Sequence, residues 1–255
     1  MWACALNSKN SKTLGKDKLK RFRELESLDK VIQPDFDEVF HKNYRLKGRW
    51  TTEVFGNDRP LVLELGCGGG EYTLGLARKY AERNFLGLDI KGARIWKGAT
   101  AARKEGLDNV AFLRTRIDFI SSFFARNEVE EIWITFPDPQ ERRRRLKKRL
   151  TGALYLNYYR QFLRDGGLVH LKTDNLKLYQ YTLELARRNN LKIGPHSEDI
   201  SSSGWDNEIT AIKTYYESCF AAEGTPIKYI SFQLHAQQEI KELSNDEEVR
   251  IYGEG

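Results

Sequence analysis

Leu61-Val-Leu-Glu-Leu-Gly-Cys-Gly-Gly-Gly70 joins a nearly unbroken apolar run to a cluster of glycines. A short apolar run bounded by turn residues reads as a strand buried on both faces, and parallel sheets bury both faces. Glycine lets the backbone turn sharply and approach a ligand closely. The helix-like spacing that follows near 71–82 would aim its first N–H groups at that ligand. Strand, glycine turn and helix together open an α/β sheet.

The pattern repeats outward from there. Asn84-Phe-Leu-Gly-Leu88, Val110-Ala-Phe-Leu113, Glu131-Ile-Trp-Ile-Thr-Phe136 and Gly167-Leu-Val-His-Leu171 read as further buried strands. Helix-like segments fall near 92–105, 118–126, 151–164, 175–188 and 207–222. The alternation implies right-handed crossovers and an open, parallel sheet. A last strand, Ile227 to Leu234, follows Pro226 and is expected to close the sheet edge. Leu19, Phe22, Leu25 and Leu28 recur every three residues and predict a short helix within 15–30. Residues 1–14 are expected to be a flexible appendage, and 15–235 one domain with a basic N-terminal segment. The acidic, polar 236–255 is expected to fray.

A chain of 255 residues, 40% hydrophobic, can build one sizeable core, and 12% aromatic residues argue against disorder. The formal net charge is +6, yet seven of the eight residues from Arg142 to Arg149 are Arg or Lys. Without that segment the charge turns slightly negative, so the positive potential is local. Cys4, Cys67 and Cys219 are far apart, as are the four histidines, and none has metal-ligand spacing. They read as reduced thiols of a cytoplasmic protein with no metal. No apolar run reaches the roughly 18 residues of a membrane span, and the apolar stretch of Met1–Leu6 is too short for a signal peptide.

The dinucleotide pattern GxGxxG fails in both registers, because its third glycine would be Glu71 or Thr73. An acid, Glu64, two residues before Gly66-x-Gly68-x-Gly70 suits S-adenosylmethionine instead. Its sulfonium and ammonium groups want carboxylates and no pyrophosphate site. Asp89, at the second strand's end, is placed to accept from ribose hydroxyls. The alternative is a tight turn without a ligand. Arg116, at the third strand's end, reads as a rim residue or a solvated surface arginine.

Phe136-Pro137-Asp138-Pro139 ends the fourth strand and presents Asp138 with little freedom, or else forms a plain turn. It differs from the Asp-Pro-Pro-aromatic loop of exocyclic amino methyltransferases, because Gln140 stands where the aromatic residue would be. Residues 142–149 read as a phosphate-gripping loop, with a solvated basic segment or localisation signal as the alternative. Four to five phosphate contacts would give a log–log salt slope of about −3 to −4.5. Asp174, ending the fifth strand, either bonds a base or caps the next helix. Thr214-Tyr215-Tyr216-Glu217 would, without context, be packing tyrosines and an exposed glutamate.

Taken together, the motifs resemble the bacterial tRNA (guanine-N7-)-methyltransferases across roughly residues 15–235. The resemblance is carried by Glu64-Leu-Gly-Cys-Gly-Gly-Gly70, the Asp89 strand end, Phe136-Pro-Asp-Pro139 with its basic continuation to Arg149-Leu-Thr151, Lys172-Thr-Asp-Asn175 and Thr214-Tyr-Tyr-Glu217. It implies a Rossmann-like class I methyltransferase, with a mostly parallel seven-stranded sheet and helices on both faces. It implies methyl transfer from S-adenosylmethionine to N7 of guanine-46 in the tRNA variable loop. By motif, Glu64, Gly66, Gly68, Asp89, Arg116 and Asp138 fall on cofactor contacts, with Asp138 also the catalytic residue. Arg142, Asp174, Thr214, Tyr215, Tyr216 and Glu217 match substrate-contacting positions. Members often carry Asp-Pro-Trp-Pro-Lys-Lys-Arg-His; here Gln140-Glu141-Arg142 follows Pro139, without Trp or His. Arg116 stands where many members have an acid. Two other readings stay open: a methyltransferase of another RNA or a small molecule, and an RNA-binding protein with a decayed cofactor fold. Oligomeric state, monomer or homodimer, is left open.

Overall fold

The computed structural model describes residues 24–253, whose strands form one eight-stranded sheet. In chain order these are β1 (Val31–Ile32), β2 (Leu61–Leu65), β3 (Asn84–Asp89), β4 (Val110–Arg114), β5 (Val129–Thr135), β6 (Leu163–Thr173), β7 (Ile193–Ser197) and β8 (Lys228–Leu234). Their spatial order is β1-β4-β3-β2-β5-β6-β8-β7. All pairings from β1 to β6 are parallel, and β8 runs antiparallel to both neighbours. Every residue of β2 and β3 is buried, so both sheet faces must be covered.

Helices α1 (Phe36–Val39), α2 (Glu71–Lys79), α3 (Gly92–Glu105), α4 (Ala153–Tyr159), α5 (Leu176–Arg188), α6 (Glu208–Ala211), α7 (Tyr215–Ala222) and α8 (Asn245–Tyr252) supply that cover, together with irregular segments. On one face Leu63, Leu65, Ile132 and Ile134 pack with Trp50, Phe123, Tyr159 and Tyr181. On the other, Val62, Phe85, Phe112 and Trp133 pack with Tyr72, Leu74, Ile95 and Ala99. The chain leaves β2 for β3 and β4 on one side, then returns for β5 and β6 on the other. The switch point therefore lies between β2 and β5, and open α/β sheets place ligands at the carboxyl ends of such strands.

Several expectations are corrected. The sheet has eight strands, not seven, because Val31 and Ile32 pair with Phe112 and Leu113 and extend the edge. The final strand does not close the sheet: β8 inserts between β6 and β7. The edge strand β7 hides in the sequence because Gly194 and Pro195 interrupt it, which an edge tolerates. The segment 118–126 forms only a 3-10 turn over Ile117–Ser122. The helix expected over 207–222 is broken into α6 and α7. Of the helix expected within 15–30, Leu19 and Phe22 lie outside the described residues, as does the 1–14 appendage, while Leu25 and Leu28 are buried.

The stretch expected to fray packs instead. Ile240 and Leu243 are buried, and α8 opens on a capping box in which Ser244 and Glu247 bond each other's backbone. Arg188 of α5 pairs with Glu247 at 2.7 Å. Among the described residues no helix is long and apolar enough to cross a membrane.

Candidate active site

Gly66, Gly68 and Gly70 take φ values of +76°, +56° and +75°, which side-chain-bearing residues resist. A Cβ at Gly66 or Gly68 would enter open space, so these two leave a cradle in front of the turn. A Cβ at Gly70 would lie 2.7 Å from the Phe112 ring, so this glycine serves packing. Gly98, inside α3, is needed for the same reason: its Cβ would stand 2.7 Å from the Gly69 carbonyl. Sequence reading passed over Gly98, although an isolated glycine within a helical pattern signals close approach.

Asp89 ends β3 and braces the turn. Its Oδ2 accepts from the Gly68 N–H at 2.9 Å and its Oδ1 from the Lys91 N–H at 2.7 Å. Each oxygen keeps a lone pair for a further donor. The neighbouring Ile90 is 55% exposed, an apolar surface on the crevice rim that sequence reading missed.

Glu64 is buried at the end of β2 and ties three elements together. Its Oε1 accepts from the Thr135 hydroxyl at 2.6 Å, while its Oε2 accepts from the Thr73 N–H at 2.8 Å and from the Thr73 hydroxyl. Burial pushes the carboxyl up to about 7, and the threonine donors pull against that rise. Glu64, expected as a cofactor contact, joins β2 to α2 and to the end of β5 through these bonds. Thr73 and Thr135 carried no sequence signal of this role.

β5 runs directly beside β2, with Leu65 opposite Ile134. Beyond Thr135 the chain reverses at Phe136, whose φ is +48°, and again at Gln140, whose φ is +51°. Left-handed backbone costs a side-chain-bearing residue roughly 1–2 kcal/mol, so this loop is strained, as functional loops often are. Surrounding contacts hold it. The Phe136 N–H donates to the Lys172 carbonyl at 2.8 Å, and its ring stacks on Phe220 at 6.0 Å. Glu141 accepts from the Asn175 amide at 2.8 Å. Asp138 is exposed at the crest, its Oδ1 accepting from the Gln140 N–H at 3.1 Å.

The end of β6 organises the remaining predicted residues. Lys172 is wholly buried, and its Nζ donates to the Ile209 and Ile212 carbonyls at 2.5 and 3.1 Å. It also pairs with Glu217 at 2.7 Å. Those carbonyls lie where α6 ends, which explains the break before α7. Burial lowers the Lys172 pKa while Glu217 raises it. Glu217, expected to contact substrate, therefore faces Lys172. Thr214 is buried and caps α7, its hydroxyl accepting from the Glu217 N–H at 3.1 Å. What this segment presents outward is Tyr215 and Tyr216, 61% and 38% exposed. Asn175, not Asp174, caps α5 by accepting from the Leu178 N–H at 2.8 Å. Asp174 keeps its carboxyl out of the cap, and burial raises its pKa.

Arg116 is exposed at the β4 end and donates to Asp118 from Nε and Nη2 at 3.1 and 2.6 Å. Arg142, Arg145, Lys147 and Lys148 are exposed on the segment around the 3-10 turn Arg143–Lys148. Arg149 is not part of that charged surface. It is 0% exposed and lies between the rings of Tyr181 and Tyr252, at 4.2 and 4.1 Å. The carboxyl ends of parallel strands β2, β3, β4, β5 and β6 thus gather the glycine turn, Asp89, Arg116, Asp138 and Asp174 on one rim. Tyr215 and Tyr216 are tied to it through Lys172.

A family model described as a putative methyltransferase matches residues 58–230. The chain is 49% identical over 220 residues to the tRNA (guanine-N(7)-)-methyltransferase of Christiangramia forsetii, covering 86% of this chain and 98% of that protein. It is 44% identical over 239 residues to the enzyme of the same name from Bacteroides fragilis, covering 94% of each. Among solved structures, the 16S rRNA methyltransferase KamB superposes with a TM-score of 0.52 at 16% identity, covering 69% of this chain and 88% of that one. An antibiotic-related methyltransferase gives a TM-score of 0.53 at 18% identity, covering 76% and 96%. These two likenesses speak for the class I methyltransferase fold alone.

Proposed function

The chain belongs to the tRNA (guanine-N7-)-methyltransferase family, and from that premise we propose that it methylates N7 of guanine-46 in the variable loop of tRNA, using S-adenosylmethionine. The observation that carries the reading is the adjacency of the two loops at the switch point. The glycine turn and the Asp138 loop leave neighbouring strands, and the Thr135 hydroxyl bonds Glu64 across them at 2.6 Å. The open space before Gly66 and Gly68 fits a bulky nucleoside, and Asp89 retains acceptor capacity for ribose hydroxyls. Ile90 offers the adenine an apolar face.

S-adenosylmethionine supplies an electrophilic methyl group on a sulfonium that departs as a neutral thioether. Guanine N7 carries a lone pair and no proton, so the protein needs no general base. The residues bind and orient. Holding two reactants in line can supply about 7–11 kcal/mol through effective molarity. The strained loop from Phe136 to Gln140 fixes Asp138 at the acceptor, where its carboxylate offsets the positive charge that develops on the guanine ring. Asp174 accepts from the base's amino and imino hydrogens. Tyr215 and Tyr216 offer stacking surface, and Arg142 with the exposed cations beside it holds phosphates. Glu64, Thr214 and Glu217 keep these groups in register from beneath. Arg116, bound to Asp118, borders the cofactor crevice.

Incubating bulk unmodified tRNA with labelled methyl donor tests the proposal. Borohydride and aniline should then cleave the product at a single variable-loop position carrying the label. Label without cleavage would point to a different methylated atom and overturn it.

A further inference from the structure

We infer that the C-terminal helix is a clasp that sets the position of the phosphate-gripping segment, with Tyr252 and Arg149 as its positioning residues. The inference rests on the tRNA reading above for its effect on substrate, but the clasp itself is visible without it. Basic segment 142–148 is flanked by Glu141 at one end and Arg149 at the other. Arg149 meets Tyr252 directly, and Glu141 meets it through the start of α5. The Arg149 guanidinium lies 4.1 Å from the Tyr252 ring centre and 4.2 Å from that of Tyr181, and pairs with Glu248 of the same helix at 3.3 Å. Burial raises the Tyr252 hydroxyl pKa, while the Arg149 cation beside it pulls the other way. Glu141 accepts from Asn175, and the Tyr252 hydroxyl donates to the Lys177 carbonyl at 3.2 Å. Tyr252, Glu141 and the start of α5 therefore form one knot at the base of the segment.

Burying a guanidinium between two rings has a physical consequence. A desolvated cation stacked on aromatic faces is held far more firmly than an exposed one. Arg149 cannot swing out to a phosphate without vacating a fully buried cage. Seven clustered cations repel one another and favour an extended, mobile segment. The cage removes one of them from solvent and pins the segment's end, while Glu141 pins its start. The remaining exposed cations are presented from a closed base, so less ordering remains to be done when RNA binds.

Tyr252→Ala tests the clasp through two readouts on the full chain. The first is trypsin cleavage within 142–148, mapped by mass spectrometry, which needs no assumption about function. The second is the dissociation constant for tRNA beside that for S-adenosylmethionine. The clasp predicts faster cleavage in the segment and roughly tenfold weaker tRNA binding. Cofactor affinity and kcat at saturating tRNA should stay unchanged. Tyr252→Phe, which keeps the ring and loses only the bond to Lys177, should recover most of both. Should Tyr252→Ala not fold, Glu248→Gln leaves both rings in place and decides on the same readouts with smaller shifts. Unchanged cleavage would overturn the clasp. Faster cleavage with unaltered tRNA affinity would overturn its coupling to substrate, as would an equal loss of cofactor affinity. A wild-type protein that bound no tRNA would instead sink the functional reading, with the cleavage result still judging the clasp.

Discussion

Asp138 and Glu64 both stand at or beyond strand ends, and their surroundings set them different tasks. Asp138 is exposed on a strained crest, whereas Glu64 is buried with donors from Thr73 and Thr135. Asp138→Asn keeps an acceptor for the Gln140 N–H but removes the charge. It should lower kcat by about 10²–10³-fold, the loss typical of an electrostatic stabiliser. Affinities for cofactor and tRNA, measured by calorimetry, should change little. Glu64 predicts a pH effect. Its folded pKa of about 7 lies above the ordinary value of 4.5, so the folded state holds the proton more tightly. That contribution to stability is complete below the unfolded pKa and is lost as pH rises towards 7. Between pH 5 and pH 8, wild type should lose roughly 2–3 kcal/mol of unfolding free energy relative to Glu64→Gln, as read by urea titration. Glu131, held down to about 2 against the opposing pull of burial by His170 and then Arg83, titrates below this window. The strand-end places of Asp138 and of the turn glycines were legible because backbone demands are written locally. It concealed the fates of Glu217 and Arg149, because their partners Lys172 and Glu248 arrive from elements distant in the chain.

At the scale of elements, Lys172 couples β6 to the break between α6 and α7. Removing one member of a buried ion pair leaves the other charged in a low dielectric and costs about 3–5 kcal/mol. Lys172→Met should lose stability of that order by chemical denaturation, and Lys172→Met with Glu217→Leu should recover much of it. Tyr215 and Tyr216 sit just beyond this anchor, so the recovered double variant should still bind tRNA more weakly than wild type. Equal binding would separate the tyrosines from the anchor. Sequence reading recovered the elements with clear period or continuous apolar runs, among them β2 to β6, β8, α2, α3 and α5. Those it missed were short or interrupted: β1 has two residues, Gly194 and Pro195 interrupt β7, and side-chain bonds from Lys172 fall at the break between α6 and α7. The C-terminal stretch looked too polar to pack, yet its few apolar residues and the Arg149 cage suffice to dock it.

For the whole molecule, charge is arranged so that one end of the sheet carries both the crevice and the exposed cations. Parallel strands impose this, since all their carboxyl ends share a side, and the alternating strand and helix pattern makes that legible in the sequence. Four to five phosphate contacts predict a log–log salt slope for tRNA binding of about −3 to −4.5. Reversing Arg145, Lys147 and Lys148 to Glu should flatten that slope by about two to three units, while S-adenosylmethionine binds as before. The central claim is that a donor on the glycine turn delivers its methyl to guanine N7 beside Asp138. A tRNA transcript carrying 7-deazaguanine at the variable-loop site, which lacks only that nitrogen's lone pair, tests it most directly. Mass spectrometry of the nucleosides should show methyl transfer to the guanine transcript and none to the deaza transcript; equal methylation of both would contradict the account.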